Sequence, residues 1–268
     1  MGERVVLVTG ASSGIGLSCA ALFAQRGYRV YGASRSAVSI SDGVVPLRMD
    51  VTQDDSVQTA CHSLLTREGR LDILINSAGM GIAGAVEDTS PEEAHAQFDV
   101  NLFGVLRVCR AVLPVMRQQR SGCIVNIGSI GGVIAIPYQG LYSASKFALE
   151  GLTECLRMEV KSFGIRVVLV EPGDHRTGFT KNRRLTAGST ENVIYQTAFT
   201  RAIRRMANDE QAGPAPDRVA ELVYDVTQRR NPRLRYTAGS RVQRAAVWLK
   251  RLAPNALVER IITAYYAR

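Results

Sequence analysis

The sequence predicts an α/β fold, a doubly wound parallel sheet with helices on both faces. Three observations predict it. Short β-branched apolar runs alternate with longer stretches of helical pattern. The runs are continuously apolar rather than alternating, as strands covered on both faces must be. A glycine-rich turn separates the first run from the first helical stretch. Alternation of this kind builds right-handed βαβ units and hence a parallel sheet.

Strands are expected at Val5–Thr9, Arg29–Ala33, Val45–Met49, Ile73–Ile75, Ile124–Ile127 and Val167–Val170. Helices are expected at Ile15–Arg26, Asp54–Arg67, Pro91–Arg117 and Leu141–Phe163. After Gly173 the pattern changes: residues 176–213 are polar and basic, with no strand expected, and 176–215 reads as a lid-like insertion. A helix begins near Asp217, followed by a short run, Leu234–Thr237, and two helical stretches split by Pro254. The whole chain, 1–268, reads as one domain, with 238–268 as a C-terminal helical extension.

Composition excludes several classes. Of 268 residues, 46% are hydrophobic and 21% charged, which is ordinary for a globular protein and unlike a disordered chain, a collagen or a small disulfide scaffold. No apolar run approaches the ~18 residues of a membrane span. The N-terminus lacks the long apolar core and small-residue cleavage site of a signal peptide. Five cysteines, without a CxxC, read as reduced thiols of a cytoplasmic protein. With three His and no clustered ligands, no metal site is expected. The net charge of +9 is uneven. From Arg176 onward there are 18 Lys and Arg against 7 Asp and Glu, while the first 175 residues hold 15 against 17.

In an open parallel sheet, ligands bind beyond the C-terminal ends of the strands. After the first run comes Thr9-Gly10-Ala11-Ser12-Ser13-Gly14-Ile15-Gly16. Glycines permit a tight turn, and the following helix N-terminus offers unpaired N–H groups to a pyrophosphate. The T-G-x-x-x-G-x-G spacing resembles that of the short-chain dehydrogenase/reductase family. The resemblance implies a Rossmann-like sheet of about seven strands in the order 3-2-1-4-5-6-7. It also implies a nicotinamide cofactor held by Gly10, Ser12, Ser13, Gly14, Ile15 and Gly16.

The second strand indicates which nicotinamide. An NAD enzyme usually carries an acid there for the ribose 2′-OH. Here it ends Ala33-Ser34-Arg35, and the planar fork of Arg35 suits a 2′-phosphate, so NADP(H) is expected over NAD(H). Asp50 and Val51 follow the third strand, where similar members contact the adenine. Asn76-Ser77-Ala78-Gly79 resembles the family's Asn-Asn-Ala-Gly, with Ser77 departing from it; Asn76, Ala78 and Gly79 are the expected contacts.

Tyr142 and Lys146 stand four apart on a helical stretch and so share a face. Only four of the 33 cations are Lys, and an Arg could not replace a compact ammonium. A free Tyr titrates near 10, so a neighbouring ammonium, together with the positive nicotinamide of bound NADP⁺, is expected to favour the phenolate and make Tyr142 a general acid/base. Ser129, thirteen positions earlier, matches the family's catalytic Ser and can hydrogen-bond a carbonyl oxygen. Asn101, in Asn101-Leu102-Phe103-Gly104, matches the family's relay Asn. Pro172, Gly173 and Thr177 match the segment that holds the carboxamide. His175 is assigned no proton role.

Met80–Gly84, Gly131–Tyr138 and the segment near Phe179 are expected to wall the substrate side. Their small apolar residues suit a lipophilic ketone, aldehyde or alcohol. The Glu171-Pro172-Gly173-Asp174 junction and the C-terminal extension resemble the branch holding 17β-hydroxysteroid and retinol dehydrogenases, implying a steroid- or retinoid-like substrate. In similar proteins the helices Pro91–Arg117 and Leu141–Phe163 form subunit contacts, so a homodimer or homotetramer is expected. Arg241–Leu252 places Val242, Ala245, Leu249 and Leu252 on one face, with Arg244, Lys250 and Arg251 elsewhere. Such a basic amphipathic helix packs on its own domain, on another subunit or on a membrane. A non-catalytic NADP(H)-binding regulator would need only the glycine loop and Arg35, not the Ser129, Tyr142, Lys146 and Asn101 set. No aromatic-interleaved basic motif points to nucleic acid.

Overall fold

The computed structural model describes residues 3–36 and 40–267; the side chain of Arg251, assigned above to the basic face, lies outside the described residues. In chain order the elements begin β1 (Val5–Thr9), α1 (Gly14–Gln25), β2 (Arg29–Ser34), β3 (Val44–Arg48), α2 (Asp54–Glu68), β4 (Ile73–Asn76) and β5 (Ile82–Ala83). There follow α3 (Pro91–Phe98), α4 (Gly104–Gln119), β6 (Gly122–Ile127), α5 (Gly140–Val160) and β7 (Ile165–Pro172). The last third holds α6 (Phe179–Asn182), β8 (Arg184–Leu185), α7 (Ala187–Glu191), α8 (Val193–Ala212), α9 (Asp217–Gln228), β9 (Arg235–Ala238), α10 (Arg241–Leu252) and α11 (Asn255–Tyr266).

Seven strands form one sheet in the order β3-β2-β1-β4-β6-β7-β9, with every pairing parallel. This is the expected order once the two-residue strands β5 and β8 are set aside. Strand direction explains the two-sided core. Val5 and Leu7 of β1 pack with Val57, Val108 and Leu149 from α2, α4 and α5. Val6 and Val8 pack on the opposite face with Cys19 and Phe23 of α1 and Val219 and Val223 of α9. The order reverses at β1, which pairs with β2 on one side and β4 on the other, so a crevice opens above its C-terminal end.

Three expectations are corrected. The strand near Val45 is an edge strand: Val44 is buried, while Pro46 and Arg48 are exposed, and an edge tolerates the missing N–H of Pro46. The expected continuous helix Pro91–Arg117 is interrupted by a π-helical turn, Asp99–Phe103. The segment 176–213 is not strandless, because β8 pairs parallel with β5 through Ile82↔Arg184 and Ala83↔Leu185. Two-residue strands are too short to register as an alternating or continuous apolar run.

Candidate active site

The crevice floor is built from backbone. Gly10 and Gly14 adopt left-handed φ values of 67° and 55°. A Cβ at Gly10 would meet the Ala78 Cα at 2.7 Å, and one at Gly16 would collide with the Gly10 carbonyl. Thr9 ties the turn to the next loop, its Oγ1 accepting from the N–H groups of Ser77 and Ala78 at 3.1 and 3.2 Å. Ser12 and Ser13 are exposed, and Ser13 makes no side-chain cap, so the start of α1 keeps unpaired N–H groups with a positive dipole end. A group that carries phosphates fits this cradle.

The far end of the crevice lies at β2 and β3. Ser34 is buried and its hydroxyl donates to the Ser36 carbonyl, while Arg35 is exposed at the strand end. Asp50 accepts from the Thr52 N–H and hydroxyl at 3.0 and 2.7 Å. Burial alone would raise its pKa, but those bonds and the Arg35 and Arg107 charges hold it below the usual carboxylate value. The Val51 carbonyl accepts from Arg107 at 3.2 Å. Asn76 is buried at the end of β4. Its amide donates into the core, to Asn126 Oδ1 at 2.9 Å and toward Cys109 Sγ at 3.6 Å, so at this position the crevice depends on the Ala78-Gly79 backbone.

Tyr142, Ser129 and Lys146 meet at the sheet edge. Ser129 follows β6 and caps a 3-10 turn, its Oγ accepting from the Gly131 N–H at 3.0 Å. A Cβ on Gly131 would meet Tyr142 Cε1 at 3.2 Å and Ser129 Oγ at 3.3 Å, so the absent side chain lets phenol and hydroxyl flank one backbone position. Lys146 is buried and its Nζ donates to the Ile127 carbonyl at 2.9 Å. Its other two protons have no partner among the described residues. The ammonium stands 6.0 Å from the Tyr142 ring centroid.

The electrostatics of the protein alone are set by burial. Burial pushes the Tyr142 phenol up to about 12; hydrogen bonding to Ser129 opposes this, and the Glu210 and Asp174 charges add to it. Among the charges, Arg183 pulls the phenol down, and burial outweighs it. Burial itself brings Lys146 down to about 8, against the pull of Glu150. Alone, the protein therefore holds Tyr142 as a phenol, a proton donor rather than a base.

Asn101 is fully buried in the π turn. Its Oδ1 accepts from the Met80 N–H at 2.9 Å, and its Nδ2 donates to the Met80 carbonyl at 3.1 Å and to Ser145 Oγ at 3.0 Å. Ser145 lies between Tyr142 and Lys146 on α5, so one amide links the Met80 wall to the helix bearing both groups. Gln97, four residues earlier, supports the same wall by accepting from Ile82 N–H and donating to Met80 carbonyl, each at 2.7 Å. Sequence reading missed Gln97, although its i,i+4 spacing to Asn101 was a usable signal.

A cover closes the substrate side. The Phe179 ring lies 5.5 Å from that of Tyr142, which is only 8% exposed. Gly81 admits this ring, since a Cβ there would meet Phe179 at 2.5 Å. Arg183 lies over the Phe179 ring, 5.7 Å from its centroid, and pairs with Glu210, which also accepts from Thr180. Thr177 packs its methyl side against Gly14, and its Oγ1 accepts from the Phe179 N–H at 3.2 Å. Pro172 ends β7, and the Gly173 N–H donates to the Ala238 carbonyl at 2.6 Å. His175 bonds the Gly173 carbonyl at 3.0 Å, and burial holds its pKa below the ordinary value. Asp174 is pushed up to about 6 by burial and by Glu210 and Asp209.

A cradle for phosphates, a buried ammonium and a buried phenol beside a hydroxyl suit carbonyl–alcohol chemistry with a dinucleotide. Comparison with known proteins agrees. The family model for short chain dehydrogenases matches residues 4–188, and the chain belongs to that family of oxidoreductases. It is 42% identical over 267 residues to a 3-ketodihydrosphingosine reductase of Bacteroides thetaiotaomicron, covering 100% of this chain and 99% of that one. It is 34% identical to human 17-beta-hydroxysteroid dehydrogenase type 1, over 88% of this chain and 77% of the other. A solved short-chain dehydrogenase from Streptomyces avermitilis superposes with a TM-score of 0.85 at 32% identity, covering 98% and 97% of the two chains.

Proposed function

We propose that the protein reduces a ketone on a lipophilic molecule with NADPH, and runs the reverse oxidation with NADP⁺. The single observation that carries this is the buried Tyr142 phenol beside Ser129 and Lys146 at the carboxyl edge of the sheet. The Gly10–Gly16 turn and the α1 N-terminus would hold the pyrophosphate, Arg35 the 2′-phosphate, Lys146 a ribose hydroxyl, and Thr177 the carboxamide. When bound, the nicotinamide supplies the hydride. Ser129 hydrogen-bonds the carbonyl oxygen and stabilises the charge that develops on it. Tyr142 delivers the proton to that oxygen, which suits a group held protonated by its surroundings.

Substrate class follows from the cover and walls. Phe179, Ile82 and Ile136 are apolar, and the full-length likeness to a 3-ketodihydrosphingosine reductase makes a long-chain amino ketone the first candidate. A steroid- or retinoid-like ketone is the second, favoured by the likeness to the human hydroxysteroid enzyme. Exposed Phe103, Leu106 and Phe147 on the π turn, α4 and α5 support the expected homodimer or homotetramer.

The test is cofactor oxidation against a ketone panel holding 3-ketodihydrosphingosine, a steroid and a small water-soluble ketone. Binding of NADPH and NADH is measured alongside, for the native protein and for Arg35→Ala. NADPH should bind the native protein tighter, and the substitution should weaken it about tenfold, or ~1.4 kcal/mol, with NADH little changed. Equal affinities in the native protein would refute the NADP(H) reading. No turnover across the panel would refute the substrate class.

A further inference from the structure

The last two helices carry apolar surface that the rest of the described chain does not cover. Among their residues only Val247 and Val258 are buried hydrophobics. On α10, Val242 and Leu252 are 78% exposed and Trp248 66%, and with Leu249 they fall along one stripe. On α11, Leu257 and Ile261 stand one turn apart and are exposed, while Tyr265, a turn further on, packs under Arg205 and donates to Asp209 at 2.7 Å. Cations frame these stripes: Arg241, Arg244 and Arg260 are exposed, and residues 241–267 hold five Lys and Arg against one Glu.

The pair of helices is attached at both ends, with Arg201 of α8 donating to the Ala267 carbonyl at 2.7 Å at the far one. Ser240 and Gln243 form a capping box, and the Gln243 amide donates to Asp174 while its side chain lies against Gly173. The stripes therefore stand beside the 174–186 segment that covers Tyr142.

We propose that the outer face of α10 and α11 is a docking surface for an anionic lipid bilayer. Charge decides between occupants. A second copy meeting this face through a two-fold axis would bring like cations together. A bilayer carrying anionic headgroups attracts the cations and accepts the Trp, Leu, Ile and Val side chains at its acyl boundary. The charge division of the chain, +11 from Arg176 onward and −2 before it, orients the molecule the same way. The docking surface does not depend on the substrate reading; taken with it, a lipophilic ketone would enter from the bilayer beside the cover.

The experiment is vesicle flotation of the full-length protein, with phosphatidylcholine vesicles that contain or lack phosphatidylserine. A Val242→Ser/Trp248→Ser/Leu252→Ser triple variant is run alongside. All three side chains are exposed, so the fold should persist, and thermal melting checks it. The native protein should float with the phosphatidylserine vesicles. Binding should fall about tenfold or more without that lipid, in high salt or in the triple variant. Activity toward whichever ketone of the panel is turned over in detergent solution should be unchanged in the variant, and absence of turnover across the panel would count against the proposed reaction alone. Native protein left in the soluble fraction, or equal flotation of the variant, would overturn the docking surface. So would a variant that loses an oligomer the native protein forms, since copies of the chain would then cover this face.

Discussion

Phe179 lies across Tyr142, their ring centroids 5.5 Å apart and their planes inclined at 57°. The ring is contacted by Arg183 and sits close against the bare backbone of Gly81. It is the aromatic side chain packed on the Tyr142 ring. Phe179→Ala should therefore raise kcat/KM for a bulky ketone relative to a small one, by about tenfold or ~1.4 kcal/mol. Steady-state kinetics on two ketones of different size checks this. An unchanged ratio would mean that the ring does not border the entry route.

Tyr142 is pushed up to about 12 mainly by burial, and Lys146 down to about 8. A phenol with this titration suits reduction, whereas oxidation requires the phenolate. Cofactor binding places a positive nicotinamide near the phenol, so the holoenzyme should titrate well below the free protein. Alcohol oxidation should then rise with pH up to that lower value while ketone reduction stays level beneath it. Tyr142→Phe should lower turnover by about 10²–10⁴ with NADPH affinity nearly unchanged. Coincident pH profiles in the two directions, or a variant that still turns over, would remove Tyr142 from the proton's route.

Much of this site was legible because its parts are local. The glycine turn, the Tyr142–Lys146 offset and the residues after each strand all depend on neighbours a few positions away. The cover was not legible, since it depends on distant partners. Arg183 finds Glu210, β8 finds β5 across about a hundred residues, and Phe179 finds Gly81. The hydrogen bond from Asn76 to Asn126 on the neighbouring strand was not legible for the same reason. Spacing reveals the proximity of Tyr142 and Lys146 but not their burial, which is a property of the whole packed core.

Asn101 offers a test of the wall. Its amide makes the three bonds to Met80 and Ser145, none of which an Ala can make. Asn101→Ala leaves the Met80 N–H without that partner, a cost of roughly 1–3 kcal/mol. In a chain of this size that corresponds to a fall in Tm of roughly 2–10 °C. Calorimetry measures the fall, and turnover should drop beyond what the lost stability explains. A variant with native Tm and native turnover would leave the amide without a role in either the wall or the helix.

Behind Lys146, one helical turn on, Glu150 meets the fully buried Glu171 of β7. Arg235 of β9 donates to Glu150 at 2.7 Å and to Glu154 at 2.8 Å, and lies 3.9 Å from Glu171. The Glu171 Oε2 accepts from Thr237 at 2.7 Å, while Glu150 Oε1 and Glu171 Oε1 have no hydrogen-bond partner among the described residues. Burial pushes Glu150 from 4.5 to about 7; Arg235 opposes this and the Glu171 carboxylate reinforces it. A carboxyl raised in the fold binds more protons folded than unfolded, so its contribution to stability is present below 4.5 and lost as pH climbs through about 7. Glu150→Gln imitates the protonated form: its carbonyl still accepts from Arg235 and its amide can donate to Glu171. Below the window the two proteins should melt alike. Above it the variant should be the more stable, by roughly 3 °C, and its Tm should vary less with pH between these values. Melting curves that stay parallel across the whole window would show that Glu150 does not take up a proton on folding.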